Sequence, residues 1–156
     1  QHGRRSLSLM GGLFSIRPNV DSIAMDAGGE WIYFKPVVGT SLYRMKSMAL
    51  RQSETEKPDA AGIQVFAQNT TISDGILYDD AHSAVLLTDF EHFSITRVKA
   101  NGQMDTLVTN ESLLRWPDGL AIHNGYLWIS AACWFEFSEE QMAAEGPFHL
   151  LKVPLE

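Results

Sequence analysis

The sequence predicts an all-β fold built from about three four-stranded β-propeller blades, on three observations. An aspartate opening a short apolar run recurs at Asp21, Asp74 and Asp118, at intervals of 53 and 44 residues, close to the roughly 40–50 residues of one blade. Behind each aspartate comes the same order of strand, tight turn, strand, loop and strand, rich in β-branched and aromatic residues. Helical patterning is confined to two short stretches, residues 47–51 and 139–144, the second stopped by Gly146 and Pro147.

Residues 1–19 form an N-terminal segment whose LSLMGGLFSI stretch reads as strand. It has no inner strands before it, so it is expected to supply an outer strand to a neighbouring blade. The first blade, residues 20–70, places strands over 22–25, 31–34, 42–45 and 63–67, with a turn at Ala27-Gly28-Gly29 and the polar run RQSETEKPDAAG before its last strand. The second, residues 71–112, repeats this over 76–78, 85–88, 95–99 and 104–108, the last strand following an Asn101-Gly102 turn. The third, residues 113–156, gives strands over 120–122, 126–130 and 149–153 around an Asn124-Gly125 turn, with no fourth.

Composition bounds the function. The 156 residues are 45% hydrophobic and 20% charged, as in one ordinary globular domain. A net charge of −7, with Arg4 and Arg5 beside His2 as the nearest thing to a basic patch, argues against nucleic acid or an anionic membrane surface as partner. No apolar run approaches the roughly 18–20 residues of a membrane span. Cys133 is the single cysteine, so no internal disulfide framework is available. Asn69-Thr70-Thr71 and Asn110-Glu111-Ser112 match the N-glycosylation sequon.

A blade is covered on both faces only when a ring of typically 4 to 8 blades closes. Three blades leave two apolar faces open, so the remaining blades are expected from an N-terminal half of a longer chain, from another chain or from a second copy. The repeat also fixes which loops share a face. The segment entering each inner strand lies at the same end as the loop between the second and third strands. One mouth therefore receives Asp21, Asp74 and Asp118 with the loops at residues 35–40, 90–93 and 132–147.

The stretches DSIAMDAGGEWIYF, LYRMKSMALR, SDGILYD, LRWPDGLAI, GYLWIS and GPFHLLKV, in this order, resemble the C-terminal half of major royal jelly and Yellow proteins. SDG and WPDG are similar, more loosely, to gluconolactonase and regucalcin-like propellers. The resemblance implies that the blades form half of a six-bladed propeller with a small-molecule site at one mouth of its channel. It also implies secretion, to an extracellular or periplasmic location. Lactonase-type relatives hold a divalent metal at this mouth, usually calcium, whereas royal jelly and Yellow members include small-amine binders and proteins of pigment chemistry. The sequence has Asp74 where the lactonase pattern has asparagine, and Ala131-Ala132-Cys133-Trp134 where royal jelly proteins carry a polar segment.

Two functions follow as expectations. In one, Asp74 and Asp118 hold a divalent cation, whose oxygen-only ligand preference suits carboxylates, and Asp118 serves as the base of a metal-dependent lactone or ester hydrolase. In the other, the protein is a non-catalytic binder of a small ligand. In both, Asp21, Glu91, His92 and Trp134 are the expected ligand contacts. The competing structural reading makes each aspartate a turn residue capping backbone amides. His82, His123 and His149 read as structural, and Trp31, Trp116 and Trp128 as strand residues packing between blades.

Overall fold

Each of the three predicted units folds into one antiparallel sheet. The computed structural model describes residues 19–51, 62–132 and 149–155, together with the strand backbone of residues 7–9 and 14–16. The first sheet is β3 (Val20–Met25), β4 (Trp31–Pro36), β5 (Ser41–Lys46) and β6 (Gln64–Gln68), in that order. The second is β7 (Ile76–Asp79), β8 (Ala84–Asp89), β9 (Ser94–Lys99) and β10 (Met104–Thr109). The third contains β11 (Pro117–His123), β12 (Tyr126–Ala131) and β13 (His149–Pro154). This is the strand order of propeller blades, with the inner strands β3, β7 and β11 as neighbours in space. A short helix α1 (Ser47–Arg51) follows β5 at the predicted place.

The N-terminal stretch read as one strand is two, β1 (Leu7–Leu9) and β2 (Phe14–Ile16), which pair with each other in a two-stranded ribbon. The predicted helix at residues 139–144 lies outside the described residues.

Strand β8 shows why the blades stay together. All six of its residues are buried, although alternate side chains point to opposite faces. One face packs Ile76, Val85, Leu87 and Val98 on Tyr33, Leu42 and Ala67 of the first sheet. The other packs Leu86 and Ile95 on Leu114, Leu127 and Ile129 of the third region. A strand apolar on both faces is thus covered on both by its neighbours. At the boundary of the first two blades, Tyr33 stacks on Tyr78 with ring centres 5.1 Å apart. At the hairpin end, the amide of Ala27 donates to the Asp80 carboxylate at 2.8 Å.

The outer face of the first blade is different. Its cross-strand row Ile23, Phe34, Tyr43 and Val65 faces away from the second blade, and Ile23 and Val65 are 64% and 51% exposed. On the third blade Leu150 is exposed in the same way.

Candidate functional site

The mouth is assembled by the loops that follow the second strand of each blade and by the segments that lead into the inner strands. Val37, Phe90 and Ala132 occupy the equivalent positions after β4, β8 and β12. Together with Ile72 and Trp116 from the two inter-blade connections they form one apolar cluster, with Val38 at its edge. The amide of Ser73 donates to the carbonyl of Val37 at 3.0 Å, so the first mouth loop holds the segment that carries Asp74.

In the second and third blades a hydroxyl on the second strand fixes the aspartate segment. Thr88 Oγ1 accepts hydrogen bonds from the amides of Asp74 and Gly75, at 3.1 and 2.8 Å. Ser130 Oγ does the same for the amide of Gly119 at 2.9 Å. In the first blade the cross-strand pair is Ser22 with Lys35, so lysine stands where the other blades have a hydroxyl. The Lys35 ammonium is fully buried and donates to the carbonyls of Gly39 and Pro36, at 2.7 and 3.2 Å. Burial lowers its pKa to about 8, and the nearby Asp89 carboxylate works against that fall. The buried Ser22 hydroxyl has no hydrogen-bond partner among the described residues.

The three repeat aspartates lie within electrostatic reach of one another. Asp74 sits above the usual carboxylate range because burial disfavours its charge, and the charges of Asp118 and Asp21 and a hydrogen bond with Asp21 add to the effect. The indole of Trp116 opposes it, donating from Nε1 to Asp74 Oδ2 at 2.6 Å. Asp118 is open to solvent as a residue, yet the protein packed around its carboxyl, together with Asp21, also raises its pKa. A hydrogen bond between two carboxyl groups needs a proton on one of them. Carboxyl groups gathered in this way repel one another unless a proton, a cation or a donor compensates them.

Glu91 and His92 lie in the mouth loop of the second blade, but their backbone amides and the His92 ring all turn to Asp89. Asp89 Oδ1 accepts from both amides at 3.1 and 3.0 Å, and His92 Nδ1 lies 2.9 Å from Oδ2. That contact raises the His92 pKa. Trp134 and Cys133 lie outside the described residues. Among the described residues no three His, Cys, Asp or Glu side chains are placed to hold a metal ion. Carboxylate oxygens suit a hard cation in kind, but one Asp74 oxygen is already committed to an indole, so the described set falls short of a chelating cage.

Sequence reasoning missed Trp116. It does pack between blades, on Phe90 of the second, but not from a strand: it precedes β11 with φ of 54° and reaches back to the aspartate of the previous blade. The available signal was its place immediately before Pro117-Asp118. Lys35, Thr88 and Ser130 were also missed, although a lysine inside the apolar run WIYFKP breaks the strand pattern visibly.

Consecutive antiparallel sheets with their inner strands as neighbours define a propeller-type protein. A family model of major royal jelly proteins matches residues 2–144, and the chain belongs to that family. Among solved structures it is similar to a gluconolactonase from Xanthomonas campestris, with 16% identity and a TM-score of 0.62 over 88% of this chain and 44% of that one. It is similar to the calcium-binding protein regucalcin from Agrobacterium tumefaciens, with 19% identity and a TM-score of 0.60 over 92% and 50%. A chain of a nidogen/laminin complex gives 17% identity and a TM-score of 0.56 over 76% and 42%. The chain thus spans half or less of each of these structures. No curated protein matches it by sequence. No helix among the described residues is long and apolar enough to cross a membrane.

Proposed function

We propose that the mouth binds a small cationic ligand through Asp21, Asp74 and Asp118. The observation that carries this reading is the gathering of three carboxyl groups, two of them raised in pKa by burial and by neighbouring carboxylates. The buried Lys35 ammonium is engaged by Pro36, Gly39 and Asp89, which leaves the three aspartates to an external cation. An organic ammonium fits better than a directly coordinated metal, because Asp74 Oδ2 already accepts from Trp116. Glu91, His92 and Trp134 complete the proposed site as rim contacts.

Calorimetric titration with 2-phenylethylamine and with calcium chloride tests this. The ammonium probe is expected to bind, and Asp118→Asn to weaken it about tenfold, the effect of losing one charge-assisted contact. Calcium binding alone would shift the reading to a metal site, and no heat from either probe would overturn it.

A second reading, metal-dependent lactone or ester hydrolysis, is favoured by one feature: Asp118 combines solvent access with a raised pKa, as a general base needs. A divalent metal bound there would supply Lewis-acid polarisation of the carbonyl. Asp118 would accept a proton from the attacking water. Gluconolactone opening that disappears with chelator and in Asp118→Asn supports this reading, and no turnover with added calcium removes it.

The exposed row of Ile23 and Val65 on one open face and Leu150 on the other supports the proposal that further blades, six in all, complete the ring. These come from more of the same polypeptide, from another chain or from a second copy. Light scattering is expected to find a particle larger than 17.4 kDa; a stable folded monomer of that mass would contradict it. By its family the protein is proposed to act outside the cell.

A further inference from the structure

Trp116 touches three parts of the mouth at once. Its backbone belongs to the connection between β10 and β11, and its carbonyl accepts from the amide of Ala132 at 3.0 Å, beside the third mouth loop. Its ring lies flat on Phe90 of the second mouth loop, with centres 4.5 Å apart and planes 5° from parallel. Its Nε1 donates to Asp74 Oδ2 at 2.6 Å, across 42 residues of sequence. Trp116 is buried and Asp74 half-buried, so this is a partly buried bond to a carboxylate.

The backbone at this point is costly. A bulky side chain at φ of 54° lies in the left-handed region, which disfavours L residues by about 1 kcal/mol or more. The following Pro117 restricts the conformation of Trp116 further. Strain held in place by stacking and by a short hydrogen bond to a carboxylate indicates a side chain whose placement matters.

We propose that Trp116 is the positioning residue of the mouth: by occupying Oδ2 of Asp74 it aims the other carboxyl oxygen at Asp21 and at whatever binds between Asp21 and Asp118. The charged groups that face Asp74 are Asp21 from β3 and Asp118 from β11. Trp116 acts on a ligand through Asp74 and not by its own contact. The inference rests on the cationic-ligand reading for its affinity test, while its geometric part stands apart from that reading.

The test is a double-mutant cycle with 2-phenylethylamine as probe. Trp116→Phe keeps a ring to stack on Phe90 and removes the donor; it is expected to weaken binding about tenfold. In an Asp74→Ala background the same change is expected to cost no further affinity, because the acceptor of the indole bond is gone. Equal losses in both backgrounds would overturn the proposal, as would full affinity in the single variant.

A measurement on the unaltered protein keeps the inference testable if Trp116→Phe fails to fold or if the probe does not bind. The indole N–H resonance of Trp116 is expected far downfield, as a short bond to a carboxylate requires, and Asp74→Asn is expected to move it upfield. An indole resonance at an ordinary position that ignores Asp74→Asn would overturn the proposal whatever the ligand is. A shifted resonance without probe binding would sink the cationic-ligand reading and leave the positioning contact intact.

Discussion

Gly75 lies directly against the backbone carbonyl of Asp118: a β-carbon added to Gly75 would stand 1.6 Å from that oxygen and 3.1 Å from Thr88 Cγ2. The inner strands of the second and third blades approach this closely only because the residue after Asp74 has no side chain. Gly75→Ala is therefore expected to destabilise the fold by about 3 kcal/mol or more, since a backbone carbonyl and not a flexible side chain has to move. Gly28→Ala, where nothing lies within 4 Å, is the control and is expected to cost little. Denaturant unfolding of the two variants checks the difference.

The hydroxyl of Thr88 accepts from two consecutive amides, so its removal leaves both Asp74 N and Gly75 N without that acceptor. Thr88→Val keeps the shape and is expected to cost about 1–3 kcal/mol. Thr88→Ser is expected to recover most of it, because the acceptor returns. A Thr88→Val protein as stable as the original would show that the aspartate segment is held by packing alone.

Lys35 gives the protein a pH signature. Its pKa in the fold, about 8, is below the 10.5 of an unperturbed lysine, so between those values the unfolded chain binds more protons than the folded one. Stability is then expected to rise as pH increases from about 8 towards 10, by at most roughly 3 kcal/mol at the upper limit. Lys35→Met is expected to flatten that rise in melting curves recorded across the window. A flat profile in the original protein would mean that the ammonium is better solvated than its burial indicates.

The blades were legible in the sequence because period-two apolar patterning and turn residues are local signals, and each strand of the three sheets falls within three residues of its predicted place. The equivalence of Asp21, Asp74 and Asp118 was legible for a different reason: each stands at the same point of the repeat, at or just before an inner strand. What the sequence hid were contacts set by tertiary approach. Trp116 looks like any apolar strand residue until its left-handed backbone turns the ring towards Asp74. The hold of Asp89 on the His92 ring, three residues further along, is of the same kind. Neither a positive φ at a tryptophan nor the choice of a histidine's partner leaves a periodic trace.

The most direct test of the account is a carboxyl carbon-13 titration of the aspartates in the purified protein, with and without 2-phenylethylamine. Asp74 and Asp118 are raised by burial and by neighbouring carboxylates, so both are expected to titrate above the ordinary aspartate range in the free protein. The free fold is then stabilised by their protons at low pH and loses that stabilisation as pH rises through their folded-state values. A cation bound between them is expected to reverse the shift and bring both values down. Ordinary values for both aspartates, unchanged by the probe, would contradict the claim that these carboxyl groups form one site.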